Sequence, residues 1–422
     1  MTERRSASPK PYAEHSVSSS TVEPRRVAVV YHYFALYRAG IIQELAHESH
    51  NRYVFFSDQK DMRNDGIVMY EFPTEIQHVA LRNAHLGGAW IWQRGLVSVA
   101  LSREYDTMVF LGDLHYLSTW VAAWCARYIG RKRVIFWTTG WHRPEYGLMG
   151  WVRCRFYHIA HALLLYGQYG WQMAIQKGFD PEACYIVLNS LDWRSQLRFR
   201  RTPSTADVNT TRLALGVDPT VPMVTCVSRL TAKRQLGLLF EAAALLKGQG
   251  IRISIVLVGD GAERDHLQQL AGESGLDVVF TGAVHDEARL ARIVQSANVT
   301  VCPGMAGLTA VQSLTYGTPV ITHDDPDHQA PESEAVLPSV TGELFKRNDP
   351  VSLAAAIVRA CTKPMLSDAI RQQCYHMVDE RFNPVYQRHV IDGAVDGLRA
   401  SETIRAARRA VQTSMVIGGY DE

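Results

Sequence analysis

Three cations in the second half of the chain are spaced to bind an anionic ligand. The sequence SRLTAKR at 228–234 places Arg229, Lys233 and Arg234 directly after an apolar run that predicts a buried strand. Ligands bind beyond the carboxyl ends of the strands in open α/β sheets, so these cations are expected to face a crevice. There they could neutralise a departing diphosphate. Ordinary surface charge remains the alternative for one or other of Lys233 and Arg234.

A glycine-containing loop later in the same half could hold the same group. In CPGMAGLTAVQSLTYGTPVIT at 302–322 a predicted strand ends, a loop follows and a helix begins near Leu308. The free N–H groups of a helix start can bind a diphosphate. Gly304 and Gly307 would let the backbone approach a bulky ligand without a Cβ clash, and Thr309 adds a hydroxyl in the first turn. The alternative is a plain loop before a buried helix.

Polar side chains near predicted strand ends in the first half could serve an acceptor and catalysis. They are Tyr33, Arg38, Asp113, His115, His142, Arg143 and Glu145. His142 and Asp113 are the preferred catalytic pair, because a loop histidine and a carboxylate commonly hydrogen-bond sugar hydroxyls. Each of these residues, taken alone, is also compatible with a structural role. Trp137 and Trp141 flank the same turn and could stack on a sugar face, with core packing the expected use of Trp137.

Alternating strands and helices position these residues. In the first half, apolar runs predict strands at 27–31, 107–113, 133–140 and 184–190, and a helix is predicted through HIAHALLLYG at 158–167. In the second half, strands are predicted at 223–229, 253–261, 278–282, 299–304 and 318–322, with helices between them. The strand runs are almost wholly apolar, which is typical of parallel strands buried on both faces. The sequence therefore predicts an α/β protein.

Length and composition predict two domains. A chain of 422 residues exceeds one compact core. We expect a disordered leader at 1–25, an N-terminal Rossmann-like domain at 26–195 that would carry the acceptor residues, a C-terminal Rossmann-like domain at 210–380 that would hold the diphosphate-containing ligand, and C-terminal helices at 381–422. A polar stretch from Arg194 to about Asn209 separates the halves as a linker. The last helix is expected to cross back and brace the first domain.

Charge and cysteine usage exclude several classes of protein. The chain has 44 Lys and Arg against 42 Asp and Glu, so nothing demands a nucleic-acid partner. Seven scattered cysteines without CxxC spacing argue against a zinc site or a disulfide framework and favour the cytoplasm. No apolar run reaches the length of a membrane span. A peripheral contact with the inner face of a membrane remains open, and the cluster Arg405, Arg408 and Arg409 is interpreted as a solvated helix face in preference to a lipid contact.

The motifs together resemble the GT-B glycosyltransferases, and specifically the large retaining family 4 of glycosyltransferase group 1. In the first half the resemblance rests on LLLYGQYGWQMAIQKGFDPEACYIVLNSLD, which ends in Asn189, Ser190 and Asp192. In the second half SRLTAKR, VGDGAE, VVFTGAV, GLTAVQSLTYGTPVI and VTGELF follow the family's successive signatures. The resemblance implies two Rossmann-like domains facing a central cleft. It also implies a hexosyltransferase-type enzyme of polysaccharide or glycoconjugate synthesis.

The resemblance also assigns roles to residues. Arg229, Lys233 and Arg234 would grip the diphosphate, and Val284 would lie beside the nucleotide base. Backbone and hydroxyl groups of Gly307, Leu308 and Thr309 would contact phosphate or sugar. The resemblance implies no metal and no cofactor. A nucleotide diphosphate sugar would be the co-substrate, and a sugar, a lipid-linked molecule or a small molecule would be the acceptor.

The chain departs from the family pattern at two places. The family's paired glutamates fall on Gly304 and Gln312, and its His-Gly falls on Thr139 and Gly140, with His142 the nearest histidine. The Gln312 amide could still bind ribose hydroxyls. We therefore predict that Glu is tolerated at 312, whereas a side chain at 304 fills space beside the sugar and impairs donor binding.

Three functions are compatible with these residues. The favoured one is sugar transfer through a divergent site that holds the sugar by the loop backbone. The alternatives are a nucleotide-sugar epimerase of the same fold and a binding protein that has lost catalysis. Release of nucleoside diphosphate in the presence of an acceptor separates the three.

Overall fold

The computed structural model describes residues 23–59, 68–362 and 367–417, with side chains to residue 413. The expected leader at 1–25 lies almost wholly outside these ranges. Two parallel sheets, each covered by helices on both faces, form the described part of the chain. The predicted α/β class is confirmed.

The first sheet is built between residues 26 and 186. Its strands are β1 (Arg26–Val30), β2 (Arg52–Ser57), β3 (His78–Ala80), β6 (Thr107–Leu111), β7 (Arg133–Thr138), β8 (Ala162–Leu165) and β9 (Cys184–Ile186). They pair in the order β3-β2-β1-β6-β7-β8-β9, and β4 (Asn83–Gly87) and β5 (Trp90–Gln93) form a separate hairpin. The helices are α1 (Ala39–His47), α2 (Leu96–Leu101), α3 (Leu117–Trp124), α4 (Gly147–Tyr157), α5 (Gln168–Gln176) and α6 (Trp193–Leu197).

The second sheet is built between residues 223 and 345. Its strands are β10 (Met223–Val227), β11 (Ser254–Val258), β12 (Val278–Gly282), β13 (Val299–Cys302), β14 (Val320–His323) and β15 (Gly342–Phe345), in the order β12-β11-β10-β13-β14-β15. The helices are α7 (Thr205–Ala214), α8 (Leu236–Gly248), α9 (Arg264–Ser274), α10 (Glu287–Ser296), α11 (Gly307–Thr315), α12 (Pro350–Thr362), α13 (Asp368–Arg381), α14 (Pro384–Asp396) and α15 (Ala400–Ile417).

Strand order places a crevice in each half. In the first sheet the chain starts at the inner strand β1, adds β2 and β3 on one side, and then adds β6 and the later strands on the other side. In the second sheet β10 is the first strand, β11 and β12 follow on one side, and β13 begins the other side. At such a reversal the loops that leave the two adjacent strands diverge and open a crevice at their carboxyl ends. The residues that follow β1, β6, β10 and β13 include most of the predicted site.

One predicted helix is wrong. The segment 158–167 contains β8, whose four residues Ala162–Leu165 are buried and pair in parallel with β7 and β9. A short aliphatic run buried on both faces has no periodicity that separates strand from helix. The strands β2, β3 and β15 and the hairpin β4–β5 were not predicted. The polar stretch expected as a linker contains α6 and the start of α7, where Ser204 and Asp207 form a capping box.

The last helices cross back to the first sheet, as predicted. On α14, the Asp392 carboxylate accepts hydrogen bonds from the hydroxyls of Tyr53 at 2.7 Å and Ser49 at 2.6 Å. Gln387 donates to the carbonyl of Leu188 at 2.8 Å. These contacts join residues about 200 to 340 positions apart in the chain. No helix among the described residues combines the length and apolarity needed to cross a membrane.

Candidate active site

A cavity of about 490 Å³ lies at the carboxyl ends of β1, β6, β7 and β8. A volume of this size accommodates a small ligand. Its polar lining includes Tyr31, His32, Tyr33, Arg38, Asp113, His115, Thr139, His142, Arg153, Tyr166, Asn189 and Glu332. Glu332 and Pro331 come from the second half of the chain, so the cavity lies between the two halves. Among the residues predicted from strand ends, Arg143 and Glu145 are not part of the lining.

Asp113 and His142 line this cavity together but are not paired with each other. Oδ1 of Asp113 lies 2.8 Å from Nδ1 of His115 and accepts from the His115 amide at 3.0 Å. Nε2 of His142 lies 3.2 Å from the Thr139 hydroxyl. The pKa of His142 is lowered, first because the surrounding protein removes the ring partly from water and second because the Arg153 cation is near. The ring is therefore neutral at pH 7 and able to bind a hydroxyl.

Arg38 forms a buried cation at the cavity wall. Its Nη2 donates to the Tyr166 hydroxyl, which lies 3.1 Å from the hydroxyl of Tyr31. The guanidinium lies 4.6 Å from the centre of the Tyr31 ring, and Nη1 has no hydrogen-bond acceptor among the described residues. No described carboxylate hydrogen-bonds this guanidinium, so its free N–H group can donate to a ligand in the cavity. Neither Tyr31 nor Tyr166 was predicted, because an aromatic residue after a strand is indistinguishable in sequence from a core residue.

One ion pair and one hydrogen bond between side chains complete the wall of the cavity. Glu145 holds Arg153 through two hydrogen bonds of 2.7 and 2.9 Å, which places the guanidinium in the lining. Across the cleft, the Asn189 amide donates to Glu332 at 2.8 Å. Burial raises the pKa of the Glu332 carboxyl. The proposed role of Trp141 as a sugar platform is wrong, since Trp141 is buried and packs edge-on against Tyr157.

The cation-bearing loop and the glycine-containing loop of the second half lie in direct contact. Nη1 of Arg234 donates to the carbonyl of Met305 at 3.1 Å, and the Gly304 amide donates to the carbonyl of Arg234 at 3.2 Å. Arg229 and Lys233 are exposed. Lys233 and Arg234 therefore lie next to the start of α11, where free backbone amides and the helix dipole favour an anion, and Arg229 lies at the other end of the same loop.

Gly304 serves a different purpose from the one predicted. A Cβ at this position would lie 2.4 Å from the carbonyl oxygen of Lys233, so the missing side chain allows two backbones to touch and leaves no open space for a ligand. The open position is Gly307, where φ is +29° and a Cβ would meet only the tip of Arg234 at 4.0 Å. The expectation of open space beside Gly304 is therefore wrong, and the open position in this loop is Gly307.

Two further predicted contacts have different partners in the structure. The Thr309 hydroxyl donates to the carbonyl of Val227 at 2.9 Å, which fixes α11 to the end of β10 and leaves that oxygen only as an acceptor. A phosphate without protons offers nothing to an acceptor, so the backbone amide of Thr309 is the group suited to phosphate. Leu308 and Val284 are half-buried, and Val284 packs at the edge of the apolar cluster under α10.

Gln312 belongs to a cluster centred on Glu287. The Gln312 amide nitrogen donates to Oε1 of Glu287 at 3.3 Å, and the same oxygen accepts from Gln196 at 3.0 Å and from the Tyr316 hydroxyl. The amide oxygen of Gln312 has no donor among the described residues and is available to a ligand hydroxyl. Glu287 was not predicted. Its position 25 residues before Gln312 carries no sequence signal of contact.

A smaller cavity and one helix start lie between the two halves. Gln329, which accepts from the Ala306 amide at 3.0 Å, lines this smaller cavity together with His142. Glu334 accepts from the amides of Gln168 and Tyr169 at 2.7 and 2.8 Å, at the start of α5. Glu334 therefore hydrogen-bonds the second half of the chain to the first.

The described residues contain no group of three His, Cys, Asp or Glu side chains placed to hold a metal ion. All seven cysteines are free thiols. The site chemistry available in the structure therefore consists of cations, backbone amides, hydroxyls, an imidazole and carboxylates.

The second half of the chain matches a known protein family. Residues 207–377 match the family model of glycosyl transferases group 1. A segment of 106 residues is 32% identical to the GDP-mannose-dependent alpha-(1-6)-phosphatidylinositol dimannoside mannosyltransferase of Mycobacterium tuberculosis, covering 24% of this chain and 27% of that protein. The chain spans less than half the length of the curated relatives that it matches.

Solved structures extend the likeness of the fold to most of the chain. The Anabaena protein HepE in complex with UDP superimposes with a TM-score of 0.66 at 18% identity, over 89% of this chain and all of that one. The lipopolysaccharide outer core galactosyltransferase WaaB gives a TM-score of 0.65 at 13% identity, over 88% and 99%. At these identities the likeness establishes the fold. The chain has the two-domain GT-B fold, and its residues 207–377 are similar to the group 1 glycosyl transferases.

Proposed function

We propose that the chain transfers a sugar from a nucleotide diphosphate sugar to an acceptor hydroxyl, with retention of the anomeric configuration. The observation that carries the proposal is the contact between Arg234 and Met305, which brings the loop of Arg229 and Lys233 onto the start of α11. The names of the relatives support it, because they describe a GDP-mannose-dependent transferase and a protein that binds UDP.

The donor binds through its diphosphate. Arg229, Lys233 and Arg234 neutralise the phosphates, and the amides of Gly307 to Thr309 donate to phosphate oxygens along the helix dipole. These contacts strengthen as negative charge develops on the leaving diphosphate, so they lower the barrier to transfer. The Gln312 amide oxygen accepts a hydrogen bond from a ribose hydroxyl, and Val284 lies beside the base.

The acceptor binds in the cavity of the first half. His142 and Asp113 hydrogen-bond its hydroxyls, and the Arg38 guanidinium favours acceptors with electron-rich groups. In the transfer step the bond between the sugar and the phosphate oxygen breaks as the acceptor oxygen bonds to the anomeric carbon. The acceptor proton passes to the departing phosphate oxygen. This route needs no separate side chain as the base.

The reaction is placed in the cytoplasm, where the seven free thiols of the chain remain reduced. A panel of nucleotide sugars, each with and without a panel of sugar and lipid-linked acceptors, tests the proposal. A transferase releases nucleoside diphosphate only when an acceptor is present. Interconversion of the sugar without acceptor would identify an epimerase, and stabilisation without product would identify a binding protein.

A further inference from the structure

Arg38 is a buried cation without an ionic partner among the described residues. Its residue is 7% exposed, and it lines the cavity at the carboxyl ends of the first sheet. No described carboxylate hydrogen-bonds its guanidinium, and Nη1 has no acceptor there. A charge that is taken out of water is costly unless an opposite charge and hydrogen bonds compensate it. The position of Arg38 therefore suits an anionic partner that comes from a ligand.

Aromatic rings fix the guanidinium in place without neutralising it. Its central carbon lies 4.6 Å from the centre of the Tyr31 ring, 5.1 Å from that of Trp137 and 5.6 Å from that of Tyr166. All three aromatic residues are buried. A ring face attracts a cation, but this attraction is weaker than the cost of burying an unpaired ion. The rings therefore hold a charged group that still lacks a counter-ion.

The hydroxyls of Tyr31 and Tyr166 leave a second donor at the same place. The Tyr166 oxygen accepts from Nη2 of Arg38, and the two phenol oxygens lie 3.1 Å apart. Burial raises the pKa of both phenols, so both keep their hydrogens at pH 7. The one hydrogen bond between the two oxygens uses only one of these two hydrogens, and neither hydroxyl has a further partner among the described residues. One phenol O–H and the Nη1 N–H of Arg38 therefore both lack an acceptor in the wall of this cavity.

The acidic side chains of the cavity lining have other partners. Oδ1 of Asp113 lies 2.8 Å from Nδ1 of His115, and Glu332 accepts from the Asn189 amide at 2.8 Å. Neither carboxylate hydrogen-bonds Arg38 among the described residues. The lining therefore supplies no directly bonded counter-ion for the guanidinium.

The phosphates of the donor have cations of their own in the other half of the chain. The three cations that follow β10 do not line this cavity. Among the described residues, the second half contributes Pro331 and Glu332 to the lining, and neither is a cation. Arg38 shares the cavity with Asp113 and His142, which are proposed to bind the acceptor. The unmet donors therefore belong to the acceptor side of the cleft.

We propose that Arg38 binds a carboxylate or a phosphate group of the acceptor, so that the sugar is transferred to an acidic acceptor such as a uronic acid or a sugar phosphate. This inference rests on the proposed function, because it takes the cavity to be the acceptor site. An oxyanion can accept from the guanidinium N–H and from the phenol O–H at once, and such charge-assisted bonds are stronger than bonds to a neutral hydroxyl. A neutral acceptor would meet the two donors but would leave the charge of Arg38 uncompensated.

Thermal stabilisation by small acidic sugars tests the site without turnover. The probes are glucuronate and glucose 6-phosphate, with glucose as the neutral control, all at millimolar concentration and equal ionic strength. We expect at least one of the two acids to raise the melting temperature of the wild type, and glucose to raise it less. The rise should be lost in Arg38→Met, which keeps an unbranched side chain but removes the charge. Arg52→Met, at an exposed arginine of the same half outside the cavity, and Arg229→Ala, at the donor side, should both keep it.

The melting temperatures without ligand show whether the variants are folded. Arg38→Met should melt at or above the temperature of the wild type, because an apolar side chain replaces a buried ion that has no counter-ion. Arg38→Lys keeps the charge but loses the planar fork of N–H groups, so it should retain the stabilisation with an affinity about tenfold weaker. The lysine variant therefore tests the site even if the methionine variant does not fold.

A pair of matched acceptors gives a kinetic readout. Methyl glucuronide and methyl glucoside differ by one carboxylate in place of one hydroxymethyl group. The kcat/KM of the wild type should favour the glucuronide by about tenfold or more, and Arg38→Met should abolish this preference while the KM of the donor stays the same.

Three results would overturn the inference. They are no rise in melting temperature with either acid, an equal rise in the wild type and Arg38→Met, and a loss of stabilisation by UDP or GDP in Arg38→Met, which would assign Arg38 to the phosphates of the donor. Sugar transfer without any preference for acidic acceptors would also overturn it and would leave the proposed function standing. Stabilisation by an acid that depends on Arg38, without transfer from any donor, would support the anion site and contradict the proposed function.

Discussion

The amide nitrogen of Gln312 donates to Oε1 of Glu287 across 3.3 Å and so joins α11 to the first turn of α10. This contact changes the expectation for the position where family 4 enzymes carry a glutamate. A carboxylate at 312 would replace a donor with an acceptor beside an existing carboxylate.

Gln312→Glu should therefore destabilise the protein, in contrast to the tolerance expected from the sequence. The lost hydrogen bond and the like charges cost about 1–3 kcal/mol at neutral pH. Close carboxylates raise one another's pKa, so the deficit should grow as the pH rises through that raised pKa and shrink in acid, where one group is protonated. Melting temperatures from pH 5 to pH 8 measure this loss of stability.

The control is Gln312→Met, which removes the hydrogen-bond donor without adding charge. Its loss of stability should be smaller and should not change with pH. Identical plots of melting temperature against pH for both variants would contradict the explanation.

A side chain at 304 should act on the cations and not on the sugar directly. In Gly304→Ala the new methyl group meets the Lys233 carbonyl at 2.4 Å, so the loop that carries Lys233 and Arg234 must shift. A shift of about 1 Å in a binding group can lower kcat/KM by up to about a hundredfold. The control is Gly272→Ala on α9, where a Cβ meets nothing within 4 Å. Normal transfer by a folded Gly304→Ala protein would show that this loop does not hold the donor.

His142 should set the acidic side of the activity profile. Its pKa lies below the usual value of 6.5, because the ring is partly removed from water and Arg153 is near. Activity should therefore persist at pH 6.5 and fall only at lower pH, as the ring becomes charged. His142→Gln should reduce transfer about tenfold, because one hydrogen bond to the acceptor is weakened, and should remove this pH dependence, because an amide does not titrate. His158→Gln, directly after α4 and outside the cavity lining, is the control; activity and a pH profile equal to the wild type in His142→Gln would exclude the histidine from the reaction.

The features that could be predicted from the sequence are those that depend on a local residue pattern. Parallel strands such as β10 and β13 are apolar runs, and the cations after β10 follow the carboxyl end of a strand, where ligands bind in open α/β sheets. The helix predicted over β8 failed because Ala162–Leu165 is too short and too apolar to show a period.

The missed residues of the site make contacts between distant parts of the chain. Glu287 meets Gln312, and Glu334 binds the start of α5 from 166 positions away. A lone glutamate has the same local sequence whether it faces solvent or another element. Gly304 was predicted to let a ligand approach the backbone, but its neighbour is the Lys233 carbonyl, and only the packing of two loops reveals this.

Thermal stabilisation by nucleoside diphosphates tests the central claim most directly, because a ligand that binds only the native state stabilises it by about 2.7 kcal/mol at a hundred times its Kd. The measurement is the melting temperature with UDP, GDP, ADP and dTDP at millimolar concentration, for the wild type, Arg229→Ala and Arg252→Ala. Arg252 is an exposed arginine of the same half, with 74% of its side chain accessible, and it precedes β11 at the opposite end of the sheet. We predict that at least one nucleotide raises the melting temperature of the wild type and of Arg252→Ala, and that the rise is lost in Arg229→Ala. No rise with any of the four nucleotides, or an equal rise in Arg229→Ala, would contradict the assignment of the donor site.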